Sequence, residues 1–202
     1  MKPSTPRSTA SDPVDEADLV RRCVGGSERA FTDLVDRYKL MVYNLVDRIV
    51  CDPDATDDLA QEVFIKVHRG LPAFRGDAKL STWIYRIAYR TCLEALKSPS
   101  RRQRFVPIHE EAGDPDSVAV GVSLGGPDAE LERVGLRGDL EHWMAELPPQ
   151  YRSALTLYYL RERRYQEIAE IMNLPEGTVK TYLHRARQYL RKRMLQEERA
   201  VG

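Results

Sequence analysis

The sequence predicts an all-α protein built as two small helical domains joined by a flexible acidic linker. Three observations lead there. Apolar residues recur at spacings of three and four along several separate segments, which marks helices with one buried stripe. No segment shows the apolar–polar alternation of a half-buried strand. Between the two groups of helical segments, Val106 to Gly126 is rich in Gly, Pro, Asp and Ser and carries no helical period. A structureless stretch of that length is unusual inside a compact domain, so it reads as a tether.

Residues 1–15 are expected to form a disordered arm, because Met1 to Asp12 is rich in Ser, Thr and Pro and lacks the apolar centre of a signal peptide. The first domain is expected over 16–104. Its first long helix runs from Ser27, a good N-cap, to Val50 and buries Leu34, Tyr38, Val42, Leu45 and Ile49 among others. Asp52-Pro53 breaks the period. A helix from about Ala55 to Arg69 then buries Leu59, Val63, Phe64 and Val67, and Leu71-Pro72 stops it. After Phe74-Arg75-Gly76-Asp77, a helix from about Ser81 to Lys97 buries Trp83, Ile84, Ile87 and Ala88, followed by the basic run Arg101-Arg102-Gln103-Arg104.

The linker is placed at 105–127, and its acids Glu110, Glu111, Asp114 and Asp116 continue through Asp128, Glu130 and Glu132 without an intervening Lys or Arg. The second domain is expected over 128–197, with a helix ending at Leu147, a restart at Pro148-Pro149, a helix from Arg152 to Arg161, and two more from Tyr165 to Met172 and from Glu176 to Leu195.

The chain holds 31 Lys and Arg against 31 Asp and Glu. A balanced total neither demands nor excludes a nucleic-acid partner, since binding follows the arrangement of charge. Cys23, Cys51 and Cys92 are far apart and form no Cys-x-x-Cys pair, so they read as small buried hydrophobes in a reducing, cytoplasmic setting, with no metal site and no cofactor expected. No apolar run approaches the roughly 20 residues that span a bilayer.

Tyr165 to His184 reads YQEIAEIMNLPEGTVKTYLH. Ile168 and Ala169 suit the inner face of a first helix, Asn173 tolerates a left-handed turn, and Leu174, Val179 and Leu183 suit the packed angle between two helices. That is the pattern of a helix-turn-helix, whose second helix enters the major groove. Lys180, Thr181, His184 and Arg185 are assigned to base reading; Arg187 and Arg191 are assigned to phosphates or to acids within the domain.

Three segments, in order, resemble the extracytoplasmic-function sigma factors of RNA polymerase. Asp57-Asp58-Leu59-Ala60-Gln61-Glu62-Val63-Phe64 resembles the family's core-polymerase-binding helix. Phe74-Arg75-Gly76-Asp77 with Ser81-Thr82-Trp83-Ile84-Tyr85-Arg86-Ile87-Ala88 resembles the segment that opens and reads the −10 promoter element. Leu147-Pro148-Pro149 through Gly177-Thr178-Val179-Lys180 and Arg185-Ala186-Arg187 is similar to the module that reads the −35 element. The likeness runs from about Asp18 to Arg193.

The resemblance implies a non-enzymatic subunit with core RNA polymerase and promoter DNA as partners, and in many members an inhibitory anti-sigma protein. It assigns Asp57, Asp58, Gln61, Glu62 and Phe64 to polymerase binding, and Lys79, Trp83, Arg86, Tyr89 and Arg90 to the −10 strand. Mixed aromatics and cations are what unpaired bases and phosphates require, although Trp83 also suits a core. The family often carries Asn where this chain has Arg90, which bears on its −10 preference.

Two other readings compete. A helix-turn-helix regulator that is not a polymerase subunit needs a sensor domain, and Ala17 to Lys97 shows no ligand or phosphorylation motif. A metal-dependent nuclease would use Asp54, Asp57, Asp58 and Glu62, which lack a second ligand cluster or a His nearby.

Overall fold

The computed structural model describes residues 13–97, 137–160 and 163–201. The expected arm as far as residue 12, the basic run at 101–104, the acidic linker at 105–127 and the expected domain start at 128 lie outside the described residues.

The first bundle consists of α1 (Pro13–Val24), α2 (Glu28–Val50), α3 (Pro53–Gly70) and α4 (Leu80–Leu96), with a single 3₁₀ turn (Leu71–Ala73) after α3. Ser27 caps α2 as its sequence position requires, its hydroxyl accepting the Ala30 N–H at 3.3 Å. The helix ends on Cys51, whose left-handed backbone (φ 53°) lets its N–H reach the Asp47 carbonyl and turns the chain sharply into α3. Pro53 then occupies the first turn of α3, where its missing N–H costs no hydrogen bond. Leu34, Leu45, Ile49, Val63 and Ile84 form the centre, where α2, α3 and α4 pack on one another, and α1 lies along α2.

The second bundle comprises α5 (Arg137–Glu146), α6 (Pro149–Leu155), α7 (Tyr165–Met172) and α8 (Glu176–Val201). The helix expected from Arg152 to Arg161 is instead α6 followed by a π turn at Thr156–Leu160. Within this wider turn the half-buried Tyr158 and Tyr159 rings meet edge to face at 4.9 Å. Trp143, Leu147, Leu157, Ile168, Val179 and Leu183 are buried together. At the end of α5, Glu146 accepts from the Tyr189 hydroxyl at 2.6 Å and from Arg193 at 2.7 Å, which ties α5 along α8.

The two bundles are packed against each other, α4 on α7 and α2 on α6. The sequence expectation of separate domains on a tether did not include this seam. It also corrects two details of α4. Tyr85 and Tyr89 are buried, while Trp83 and Ile87, expected inside, are only partly covered. The stripe counts for one buried face; α4 has two, one toward its own bundle and one toward the other.

Candidate nucleic-acid interface

The turn between α7 and α8 has the geometry its residues imply. Asn173 is left-handed (φ 55°, ψ 51°), and its N–H closes on the Ala169 carbonyl. The Leu174 N–H shares that carbonyl at 3.0 Å. Pro175 then leads into α8, its carbonyl accepting from Thr178 and Val179. Val179, Leu183, Ala186 and Leu190 face inward, so Lys180, Thr181, His184 and Arg187 lie on other faces of the same helix.

Lys180 is exposed, pairs with Glu176 at 2.9 Å and lies over the Tyr165 ring at 5.6 Å. Thr181 donates back to the Gly177 carbonyl at 3.0 Å, so its hydroxyl proton is engaged within α8 while its oxygen can still accept. His184 is half-buried. Two cations of the expected reading face turn inward instead. Arg185 donates to the Tyr151 hydroxyl at 3.4 Å, and Arg187 lies 5.6 Å from both Tyr158 and Tyr159 rings. The alternative noted for Arg187, pairing within the domain, is thus the arrangement present, with aromatic faces in place of acids.

At the start of that motif, Glu167 anchors the first turn of α7. Burial opposes its ionisation, but the Arg164 N–H (3.1 Å) and the Arg163 guanidinium (2.9 Å) hold its carboxyl below the ordinary value.

On α4 and the loop before it, Gly76 takes a positive φ of 78°, a conformation open to glycine, and swings Arg75 and Asp77 into solvent. Trp83 leans on Phe74 with ring centroids 5.1 Å apart and rests above Gly70, where an added Cβ would stand 3.0 Å from the indole. Lys79 and Arg90 are exposed. Arg86 is occupied across the seam, donating to the Glu170 carbonyl at 2.9 Å and pairing with its carboxylate at 3.5 Å. Tyr89 is buried beside Tyr182 of α8, and that burial pushes its phenol up to about 12. Of the five residues assigned to the −10 strand, Lys79, Trp83 and Arg90 therefore reach solvent, whereas Arg86 and Tyr89 are engaged by the second bundle.

On α3, Asp57, Asp58, Gln61 and Glu62 are all exposed, and Glu62 shares Lys66 with Glu94 (3.0 and 2.8 Å). Beside this acidic face runs an apolar groove of about 990 Å³ between α2 and α3, lined by Phe31, Leu40, Tyr43, Phe64, Ile65 and His68. Leu40, at 69% exposure, and the exposed Tyr43 and Ile65 escaped sequence reasoning, since single apolar residues off the buried stripe look like noise along a chain. Spaced three apart, Leu40 and Tyr43 share a face, and Ile65 meets them from α3. Among the described residues no three His, Cys, Asp or Glu side chains gather as a metal site, and the carboxylates proposed for a nuclease only line this helix.

The two halves of this geometry match two halves of one protein class. Residues 34–102 match the model of sigma-70 region 2, and residues 137–190 match that of sigma-70 region 4. The chain is 33% identical over 181 residues to the ECF RNA polymerase sigma factor SigW of Bacillus subtilis (strain 168), covering 87% of this chain and 94% of that protein. It is 36% identical over 179 residues to the ECF RNA polymerase sigma-E factor of Escherichia coli (strain K12), covering 88% and 93%. The fold is similar to that of CnrH in complex with the cytosolic domain of CnrY (TM-score 0.63, 19% identity, 91% of this chain and 97% of that one). It is also similar to that of the sigma factor RpoE in complex with the anti-sigma factor NepR from Bartonella quintana (TM-score 0.58, 19% identity, 80% and 94%). The chain belongs to the ECF family of RNA polymerase sigma factors, and the reading as a transcription initiation factor prevails over that of a free-standing regulator.

Proposed function

We propose a division of labour between three surfaces. The exposed acids Asp57, Asp58, Gln61 and Glu62, together with the apolar groove that includes Phe64, dock on the core polymerase. The loop Phe74 to Lys79 and the α4 residues Trp83, Arg86, Tyr89 and Arg90 receive unpaired bases and phosphates of the −10 element. Lys180, Thr181 and His184 on α8 address the −35 duplex, with Arg185 and Arg187 joining them only if they leave Tyr151, Tyr158 and Tyr159. The polymerase performs the chemistry; this chain is no enzyme and works in the cytoplasm beside it. No helix among the described residues is long and apolar enough to cross a membrane. An anti-sigma protein, the kind of partner bound to RpoE in the neighbouring structure, completes the set of partners.

One observation carries the docking assignment: on the α2–α3 face an exposed acidic row borders an exposed apolar groove. Charge steers and orders such an encounter, and the apolar anchors hold it. Strand capture is a matter of stacking and cation contact, with extrusion of a base costing a few kcal/mol. The test is transcription in vitro by sigma-free core enzyme on a library of promoter templates. Addition of this chain should produce discrete start sites with shared −10 and −35 sequences. Random initiation at the level of core alone would refute the assignment, and failure to retain core polymerase in a pull-down at moderate salt would refute the docking surface.

A further inference from the structure

The groove between α2 and α3 has a polarity along its length. On α3, side chains at helical spacing begin with Asp57 and Asp58, pass through Gln61, Phe64 and Ile65, and end with His68 and Arg69. All are exposed except Phe64, which is half-buried. The face is thus acidic toward the N-terminal end of α3, apolar in the middle and basic toward the C-terminal end. Glu62, on its flank, is taken up by Lys66 at 3.0 Å. Among the described residues, by contrast, no ion-pair partner reaches Asp57, Asp58 or Arg69. At the apolar centre, Leu40 and Tyr43 of α2 and Ile65 of α3 are 69%, 41% and 46% exposed.

That order of residues is complementary to its own reverse. With two copies of α3 antiparallel about a twofold axis level with Val63, Asp57 faces Arg69, Asp58 faces His68 and Gln61 faces Ile65, each pair occurring twice. The same axis brings the two sets of Leu40, Tyr43 and Ile65 together. A parallel arrangement would instead set acid on acid and base on base. We propose that this face is an interface between two copies of the chain, a twofold dimer closed through the α2–α3 grooves. Charge selects the antiparallel register, and the apolar centre holds it. Because each copy uses its patch on the other, assembly stops at two. The dimer stands on this self-complementarity alone. Its consequence, that a paired chain cannot dock and that core polymerase draws on the monomer, rests on the docking role proposed for the same groove.

Sedimentation equilibrium of the full chain, at concentrations on the order of 1–100 μM where weak interfaces dissociate, should show monomer and dimer exchanging. L40R and I65D should stay monomeric. D57R and R69D, each of which places like charges opposite one another twice, should each weaken self-association about tenfold. Mixed with each other, however, they regain both opposite-charge pairs, and the mixed dimer should form to within about threefold of the parent. Far-ultraviolet circular dichroism of each variant should keep the helical intensity, and the mixing step compares folded chains with themselves. A parent that is monomeric across the range would overturn the dimer. A dimer untouched by L40R and I65D would overturn this face as its seat. A mixture of D57R and R69D that associates no better than either alone would overturn the antiparallel register. Core polymerase added to the parent should retain one copy per enzyme; two copies retained as a dimer would support the dimer and overturn docking through the groove.

Discussion

Arg152 donates to Cys51 across the boundary between the bundles at 3.0 Å, and the same guanidinium holds the Ala145 carbonyl at 3.2 Å within its own. The side chain is 1% exposed, and burial lowers its pKa, against which the neighbouring Cys51 and Cys92 sulfurs act. A cation so enclosed holds position through shape as well as charge. Arg152→Ala should lower stability by about 2–4 kcal/mol in urea denaturation, through a cavity and lost donors. Arg152→Met restores most of the volume and should cost clearly less.

Glu167 supplies an acid-sensitive latch. Its folded carboxyl titrates below the ordinary value, so its contribution is complete above the unfolded pKa of 4.5 and is lost as pH falls through the folded one. Glu167→Gln should lower the melting temperature at pH 7, by an amount equivalent to about 1 kcal/mol, as for other N-terminal caps. The gap between parent and variant should narrow steadily on acidification below pH 4.5. A gap independent of pH would mean that the carboxylate's charge is irrelevant.

Tyr189 behaves in the opposite sense at high pH. Burial first, and then the Glu146 carboxylate that accepts its hydrogen bond, push its phenol up to about 12. Because the folded pKa lies above the unfolded 10.0, the stabilisation is complete below pH 10.0 and drains away as pH climbs toward 12. Tyr189→Phe should cost about 1–2 kcal/mol near neutrality, and its unfolding curves should change less than the parent's between those limits. Ultraviolet titration of the folded parent should likewise leave Tyr89, whose phenol is also pushed to about 12, protonated at pH 11.

Leu40 and Ile65 test the groove without disturbing the core, since both are exposed. Leu40→Arg and Ile65→Asp should each weaken binding to core polymerase by about tenfold or more, the scale of an interface anchor. Circular dichroism and thermal melting should be unchanged. Full affinity in both variants would move the docking surface elsewhere.

Lys180→Ala should weaken binding to duplex carrying the −35 element. A loss of about 1–3 kcal/mol confined to the cognate sequence marks a base contact, whereas a uniform loss with the salt slope reduced by about 1 marks a phosphate contact.

Most of the helical skeleton was legible because its signals are local. The Ser27 cap, the stop at Asp52-Pro53 and the left-handed Asn173 each act within a few residues and needed no knowledge of the rest of the chain. What escaped depends on distant neighbours. Nothing near Tyr85 in sequence says that Arg163 will cover it, and nothing near Arg86 points to Glu170. The same aromatics and cations that resemble a strand-binding set also suit a wet protein–protein seam, so composition could not separate the two uses. The π turn at Thr156–Leu160 was invisible for another reason: an apolar run of TLYYL fits either winding, and its two rings end beside Arg187, a residue far along the chain.

Leaving Leu40, Tyr43 and Ile65 in water has a price beyond recognition. An exposed apolar patch of this kind presents a sticky surface to other copies of the chain. Concentrated preparations should therefore scatter light, and Leu40→Arg should remove the adhesion.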